Sequence, residues 1–401
     1  MQTRQPLYQQ IARLYKGAAI LILNTIVLVA CVELAALSVF KVRGVSNPGE
    51  QQVVNPREKV SYYTSQDWAV QYWHEHKLSD VQRYHSYVIW RRAPFKGRTI
   101  NIDPQGVRLT PGANCSANSY KVFALGGSTM WGTGSPDWGT IPAYLQAGLE
   151  APRGKPVCVV NFGESAFVST QEVIQLLLQL ESGNVPHLVL FYDGVNDEYA
   201  AYQSGRPEVH MNLSAISARF EERKSALSFV EWLKTSYSFL LSERLAARLR
   251  QEAKTSPKLI TYETMGIDST TLADSVAQMY LANYKTVKAL SQEYGFKYFF
   301  FWQPVIWFGN KPLTSEEQAI KLGTDPARMR LSNSIYRTIE LVASEAEYEN
   351  LYYLGDIFDK YTSLIWIDGW HVTPVGNQLI AQKMLDVVAA RNQGHKVKPG
   401  R

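Results

Sequence analysis

Only three cysteines occur in 401 residues, too few for a scaffold stapled by disulfides. His74 and His76 stand two apart with His85 nearby. No His-Glu-x-x-His spacing or cysteine partner goes with them, so no metal site is expected. A phosphate-cradling Gly-x-x-x-x-Gly-Lys is missing and no dinucleotide glycine pattern is complete, which removes the usual nucleotide folds and leaves no cofactor to expect. The formal charge is only +5, with basic residues scattered instead of striped, and nucleic acid is not an expected partner. Internal repeats and low-complexity tracts are absent. The nucleophile elbow Gly-x-Ser-x-Gly fails because Met130 stands where its last glycine would be. What remains is a chain of globular composition, long enough for one large domain or two ordinary ones and for an enclosed active site.

The N-terminus departs from this composition. From Gly17 to Phe40 the residues are almost wholly apolar, with one charge at Glu33. At about 1.5 Å per residue this run is long enough to cross the roughly 30 Å of a bilayer's hydrocarbon. Arg4, Arg13 and Lys16 precede it, and Lys41 and Arg43 follow it. It exceeds a signal-peptide core and lacks a small-x-small cleavage site, so a retained single-pass anchor is expected over residues 1–43. Basic residues flank both ends, and charge alone leaves the orientation open. Cys31 lies inside the run. Cys115 and Cys158 read either as small buried side chains or as a disulfide.

Residues 44–66 are polar and contain Pro48 and Pro56, the composition of a tether. Short β-prone runs follow at 87–90, 99–102 and 106–109, making 44–118 a tether with accessory strands. Trp90, Arg91 and Arg92 there read as packing residues or as the lining of a groove. The main domain, 119–395, alternates strand and helix: strands at 122–125, 157–161, 188–192, 297–302 and 352–354, helices at 140–149, 170–180, 270–294, 326–345 and 373–390. That rhythm predicts an α/β fold with helices on both faces of a parallel sheet. Between 202 and 257 the strand signal vanishes and amphipathic helix takes over, an insertion carrying Arg219, Arg223, Lys224, Arg244, Arg248 and Arg250. Those cations read as a solvated face or as a surface for an anionic glycan or lipid headgroups.

Ligands bind parallel α/β sheets at the carboxyl ends of the strands. Four strands here lead into polar, glycine-containing segments: Gly126-Gly-Ser128, Asn161-Phe-Gly163, Gly194-Val-Asn-Asp197 and Asp368-Gly-Trp-His371. Together they hold the parts that acyl transfer needs. Ser128 is a nucleophile, His371 a base to take its proton, and Asp368, three residues earlier, a carboxylate able to orient the imidazole. The backbone N–H groups of Ser128 and Gly163 and the side-chain amide of Asn196 are candidate oxyanion donors. Asp193 and Asp197 read as braces of their loop. Trp131, Trp302, Trp307 and Trp370 adjoin the site segments, as core residues or as stacking surfaces for a sugar.

Ser128, Gly163, Asn196 and His371, in that order and each after a strand, resemble the namesake residues of the SGNH (GDSL-like) hydrolase family, and the likeness extends over about 119–392. Gly194-Val-Asn-Asp197 and Asp368-Gly-Trp-His-Val-Thr-Pro-Val-Gly376 are its specific parts. One departure is plain: the usual Gly-Asp-Ser is Gly126-Gly127-Ser128, without the aspartate beside the nucleophile. The resemblance implies a three-layer, flavodoxin-like α/β/α fold with about five parallel strands, and ester hydrolysis or acyl transfer without metal or organic cofactor. It also makes the first two strands neighbours, which would bring Cys115 and Cys158 within reach of a disulfide. With the anchor, it implies a catalytic domain outside the cytoplasm and residues 1–16 inside. The expected substrate is an O-acetylated envelope carbohydrate or small ester, the expected partner an export or polysaccharide-assembly complex. O-acyl transfer, lipid or thioester hydrolysis and a non-catalytic glycan-binding role are the alternatives.

Overall fold

The computed structural model describes residues 7–42, 55–222, 236–239, 241–242 and 260–393. They belong to two compact units, one built from 1–54 with 217–259 and one from 55–216 with 260–401.

In the smaller unit, α1 (Leu7–Val42) contains the apolar stretch Ile11–Val39, of mean hydropathy 2.5. Among the described residues it is the one helix long and apolar enough to cross a membrane. The one charge between Gly17 and Phe40 is satisfied: the Glu33 carboxylate accepts the backbone N–H groups of Tyr237 and Ser238. Glu33, Ala36 and Leu37, spaced to share one helix face, are among its few covered side chains.

The larger unit opens with the short helices α2 (Ser61–Thr64) and α3 (Ala69–Ser79). Two small antiparallel pairs follow, β1 (Gln82–His85) with β2 (Ile89–Arg92), and β3 (Phe95–Lys96) with β4 (Asn101–Ile102). The α/β core then runs β5 (Tyr120–Gly126), α4 (Ser128–Trp131), α5 (Ile141–Gly148), β6 (Val157–Asn161), α6 (Ser169–Glu181), β7 (Leu188–Asp193) and α7 (Val195–Ser204). After α8 (Leu213–Glu222) come α9 (Ser269–Tyr294), β8 (Lys297–Trp302), α10 (Ser315–Leu322), α11 (Pro326–Val342), β9 (Leu351–Tyr353) and α12 (Pro374–Asn392).

The sheet is five-stranded and parallel, in the order β6-β5-β7-β8-β9. This is the flavodoxin-like order, whose direction of winding reverses between its first and third strands, here β5 and β7. Helices α5 and α12 pack together, and α6, α9 and α11 form a second group, so helices occupy both faces. Continuous apolar strands make that arrangement stable. Leu188–Asp193 and 298–302 are buried at every position, as a parallel sheet covered on both sides requires. Thr140, Asp325 and Thr373 cap α5, α11 and α12, each beside a proline in the first turn.

The structure departs from the sequence reading at the front of this unit. Residues 55–66 are part of the folded unit and not a tether: Tyr63, Tyr72 and Trp73 are buried with Ile100, Trp131 and Ile367. Clustered aromatics supply the apolar area that the segment's polar composition concealed. Helix α3 had no sequence signal strong enough to predict it. The run 106–109 forms no strand, only bridges from Arg108 to Ile102 and Asn161. Trp90, Arg91 and Arg92 are buried packing residues. Of the insertion predicted over 202–257, α7 and α8 account for the start and Arg219 is exposed on α8. Arg223, Lys224, Arg244, Arg248 and Arg250 lie outside the described residues.

Cys115 and Cys158 form a disulfide, with Cα atoms 5.0 Å apart. The register explains the pairing: Lys121 of β5 stands opposite Cys158 of β6, and the chain reaches β5 from Cys115.

Candidate active site

Ser128 follows β5 directly as the first residue of α4, so its backbone N–H has no acceptor within the helix. The residue is half-buried, and its hydroxyl lies 2.7 Å from Nε2 of His371. Nδ1 of His371 is 2.7 Å from Oδ2 of Asp368, whose Oδ1 accepts the backbone N–H groups of Trp370 (2.9 Å) and His371 (2.7 Å). The three-residue spacing thus closes on itself. The segment that carries the imidazole also presents the backbone donors that hold its carboxylate. Ser128, His371 and Asp368 form one continuous hydrogen-bonded chain at the carboxyl ends of β5 and β7.

Electrostatics favour a neutral base beside an ionised acid. Burial pushes His371 down, Asp368 pulls it up and Arg57 adds to the lowering, for a net downward shift. Burial alone would raise Asp368, but His371 and Arg57 beside it hold its carboxyl far below the usual carboxylate range. A neutral imidazole is the form that can take the proton from Ser128.

The three proposed oxyanion donors converge on the nucleophile turn but are not all free. Gly163 packs so closely that a Cβ there would lie 2.5 Å from the backbone nitrogen of Trp131, the last residue of α4. Its N–H donates to Oδ1 of Asn161 at 3.0 Å. Asn196 donates one amide hydrogen to the carbonyl of Phe167 at 2.7 Å. A Cβ on Gly127 would come within 2.2 Å of Asn196 Nδ2. A side chain at position 127 would therefore require the amide of Asn196 to move from the place it takes here. The backbone there, at φ −79°, is ordinary, so the constraint is one of proximity and not of conformation.

Of the four tryptophans near the site, Trp131, Trp302 and Trp307 are buried. Trp370 is half-exposed, with its ring 5.6 Å from that of His371 and the guanidinium of Arg328 4.3 Å from its centroid. Among the described residues no three His, Cys, Asp or Glu side chains are grouped to hold a metal. Sequence reasoning missed Arg57, which reaches Asp368, and Arg108, which holds the loop behind Ser128. Arg57 carries no motif, and Arg108 stands in the run 106–109, which read only as β-prone.

Asp193 and Asp197, at either end of the Gly-Val-Asn turn, belong to a buried acidic group with Glu172. Asp193 accepts from the Tyr280 hydroxyl at 2.5 Å, and Asp197 from the Ser169 hydroxyl at 2.5 Å and the Ser169 N–H. Burial, then the charge of Asp197, pushes Asp193 up to about 7, and burial pushes Asp197 to about 6. Burial and Asp193 raise Glu172 as well. In the unfolded chain carboxyls titrate near 4. Asp193 and Asp197 therefore favour the fold fully below about pH 4, and their contribution is lost as pH rises toward about 7. We expect Asp193→Asn to reduce the loss of stability between about pH 5 and pH 8 by about 2 kcal/mol. Urea unfolding of the full chain in detergent at both pH values checks this, and equal pH dependence in the two proteins would exclude it.

No family model and no curated protein matches the chain. Solved structures do match. The chain resembles the G-D-S-L lipolytic proteins. One match is a member of that family from Veillonella parvula DSM 2008, at 13% identity and TM-score 0.34, covering 67% of this chain and 98% of that one. The acetyl xylan esterase AlAXEase matches at 17% identity and TM-score 0.35, over 67% and 99% of the two chains. Axe2, an acetylxylan esterase from Geobacillus stearothermophilus, matches at 15% and 0.34, over 69% and 95%. At such identities and TM-scores, what the site can do rests on its own geometry.

Proposed function

We propose that the chain is a serine esterase working through an acyl-enzyme, anchored by α1 and acting on O-acetyl groups of an envelope carbohydrate. The observation that carries this reading is the unbroken chain Ser128 Oγ, His371, Asp368, with both contacts to the imidazole at 2.7 Å. Ser128 Oγ attacks the ester carbonyl as its proton passes to His371 Nε2. Asp368 holds the opposite nitrogen and stabilises the imidazolium. The tetrahedral oxyanion would take the N–H of Ser128, the second amide hydrogen of Asn196, and the N–H of Gly163 once Asn161 releases it. His371 then returns the proton to the departing sugar hydroxyl, and water, activated by the same base, frees acetate. A sugar hydroxyl in place of that water would make the same enzyme an O-acyltransferase.

A fluorophosphonate probe tests the chemistry, because it reacts with an activated serine and spares a glycan-binding pseudoenzyme. Labelling that maps to Ser128 is expected. No labelling of folded protein would sink the mechanism.

The proposed location is the extracytoplasmic face of a membrane. Two features support it: α1, and the disulfide, a bond that persists in oxidising compartments. Protease added to intact spheroplasts should digest the sheet unit, whereas full protection would reverse the topology.

A further inference from the structure

Asp368 is shared. Arg57 donates from Nε to Oδ2 of Asp368 at 2.5 Å, and this is the oxygen that meets His371 Nδ1. With two backbone donors on Oδ1, the carboxylate is engaged at both oxygens and held against rotation. Arg57 sits in the turn Pro56–Lys59, whose start is capped by the Asn55 side chain accepting the Arg57 N–H at 3.2 Å. Tyr63, a few residues on, fixes the segment to the nucleophile loop through a 2.7 Å bond to the carbonyl of Gly134. The ion pair is largely enclosed, its side chains 25% and 19% exposed.

We propose that Arg57 is a positioning residue of the relay, pinning Oδ2 of Asp368 so that the carboxylate presents a fixed plane to His371 and divides its charge between two cations. The meaning of this for turnover rests on the esterase reading above. An arginine on the same oxygen weakens the hold of Asp368 on an imidazolium, so the free base persists to lower pH than in an ordinary acid–histidine pair. The charged and titratable groups facing this pair are Asp368 and Arg57 themselves, the buried His76, and Tyr63 and Tyr72, whose phenols burial raises above their ordinary range. None of these three side chains offsets Arg57: burial, then nearby arginines, pushes His76 down, and the two phenols stay neutral.

The test uses the full chain in detergent, with ring-15N histidine to follow each of its seven histidines and His371→Gln to assign the signal. In Arg57→Gln the His371 titration should move to higher pH, and Arg57→Lys, which keeps a cation beside Asp368, should bring it back. Fluorophosphonate labelling by Arg57→Gln should fall about three- to tenfold relative to the parent at about pH 6 and change less than about twofold at about pH 9. Arg57→Met serves in place of Arg57→Gln if the latter does not fold. Coincident His371 titrations in all the variants would overturn the role of Arg57, whether or not the protein is an esterase. A shifted titration in a chain that never labels would overturn the esterase reading and leave the placement of Arg57 standing.

Discussion

Ser128→Ala should lower ester turnover by about 10³-fold or more, and His371→Ala should do the same, with the double variant no worse than either alone. The three groups form one device. Without the hydroxyl, His371 has no proton to take, and without the imidazole, the hydroxyl is an alcohol of ordinary reactivity. Asp368→Asn should be as damaging or somewhat milder, because the amide can still accept the two N–H groups now on Oδ1 but carries no charge to steady the imidazolium. Ser128 is small and half-exposed, so its replacement should leave stability within about 0.5 kcal/mol of the parent. Hydrolysis of p-nitrophenyl acetate and urea unfolding, measured on the same samples, separate the two effects. More than about a tenth of parental turnover in Ser128→Ala would mean that another nucleophile is at work.

Much of the fold was legible because a parallel sheet writes itself into the sequence. Runs such as Leu188–Asp193 and Lys297–Trp302 are apolar without alternation, and each ends in glycine or polar residues where the chain leaves the sheet. The hydrogen-bonded chain of Ser128, His371 and Asp368 was legible for a similar reason: Asp368 and His371 are local, and Ser128 follows a glycine turn at a strand end. Contacts between distant segments were not. Arg57 and Asp368 are 311 residues apart, and no periodicity predicts that a polar, proline-flanked stretch folds back onto the relay. The acidic group of Glu172, Asp193 and Asp197 was hidden likewise, since only the packing of α6 against the β7 turn shows that its carboxylates share one dry space. The absent aspartate at position 127 read as a departure from the family pattern, and nothing in the sequence signalled that Gly127 lies against the amide of Asn196.

Arg108 is the residue whose loss should cost the fold most. It is fully buried, and its guanidinium is almost entirely spent on one loop. Nε donates to Asp137 at 2.8 Å, one terminal nitrogen to the carbonyls of Trp131 and Gly132 at 3.0 Å each, and the other to the carbonyl of Ser135 at 2.7 Å. The group also lies 4.2 Å from the ring centre of Trp131, which Arg92 approaches at 4.0 Å. Trp131 closes the turn that Ser128 opens, and Gly132 and Gly134, at φ +99° and +94°, bend the chain sharply behind it. Arg108 therefore gathers the carbonyls of a loop that has no ladder of its own, and Ser128 rests on that loop. In Arg108→Met three carbonyls and a carboxylate each lose a charged donor where water has little access, the Ser135 carbonyl most completely, which should cost about 3–5 kcal/mol. Arg108→Lys should recover little, because a single ammonium cannot reproduce a planar fork that reaches four acceptors at once. Both variants should label poorly with fluorophosphonate even at temperatures where they remain folded, since Ser128 would no longer be held on His371. Urea unfolding and labelling of the exposed-arginine control Arg83→Met should match the parent. A loss below about 1 kcal/mol with undiminished labelling in Arg108→Met would show that the loop supports itself, and that the arginine only fills a space within it.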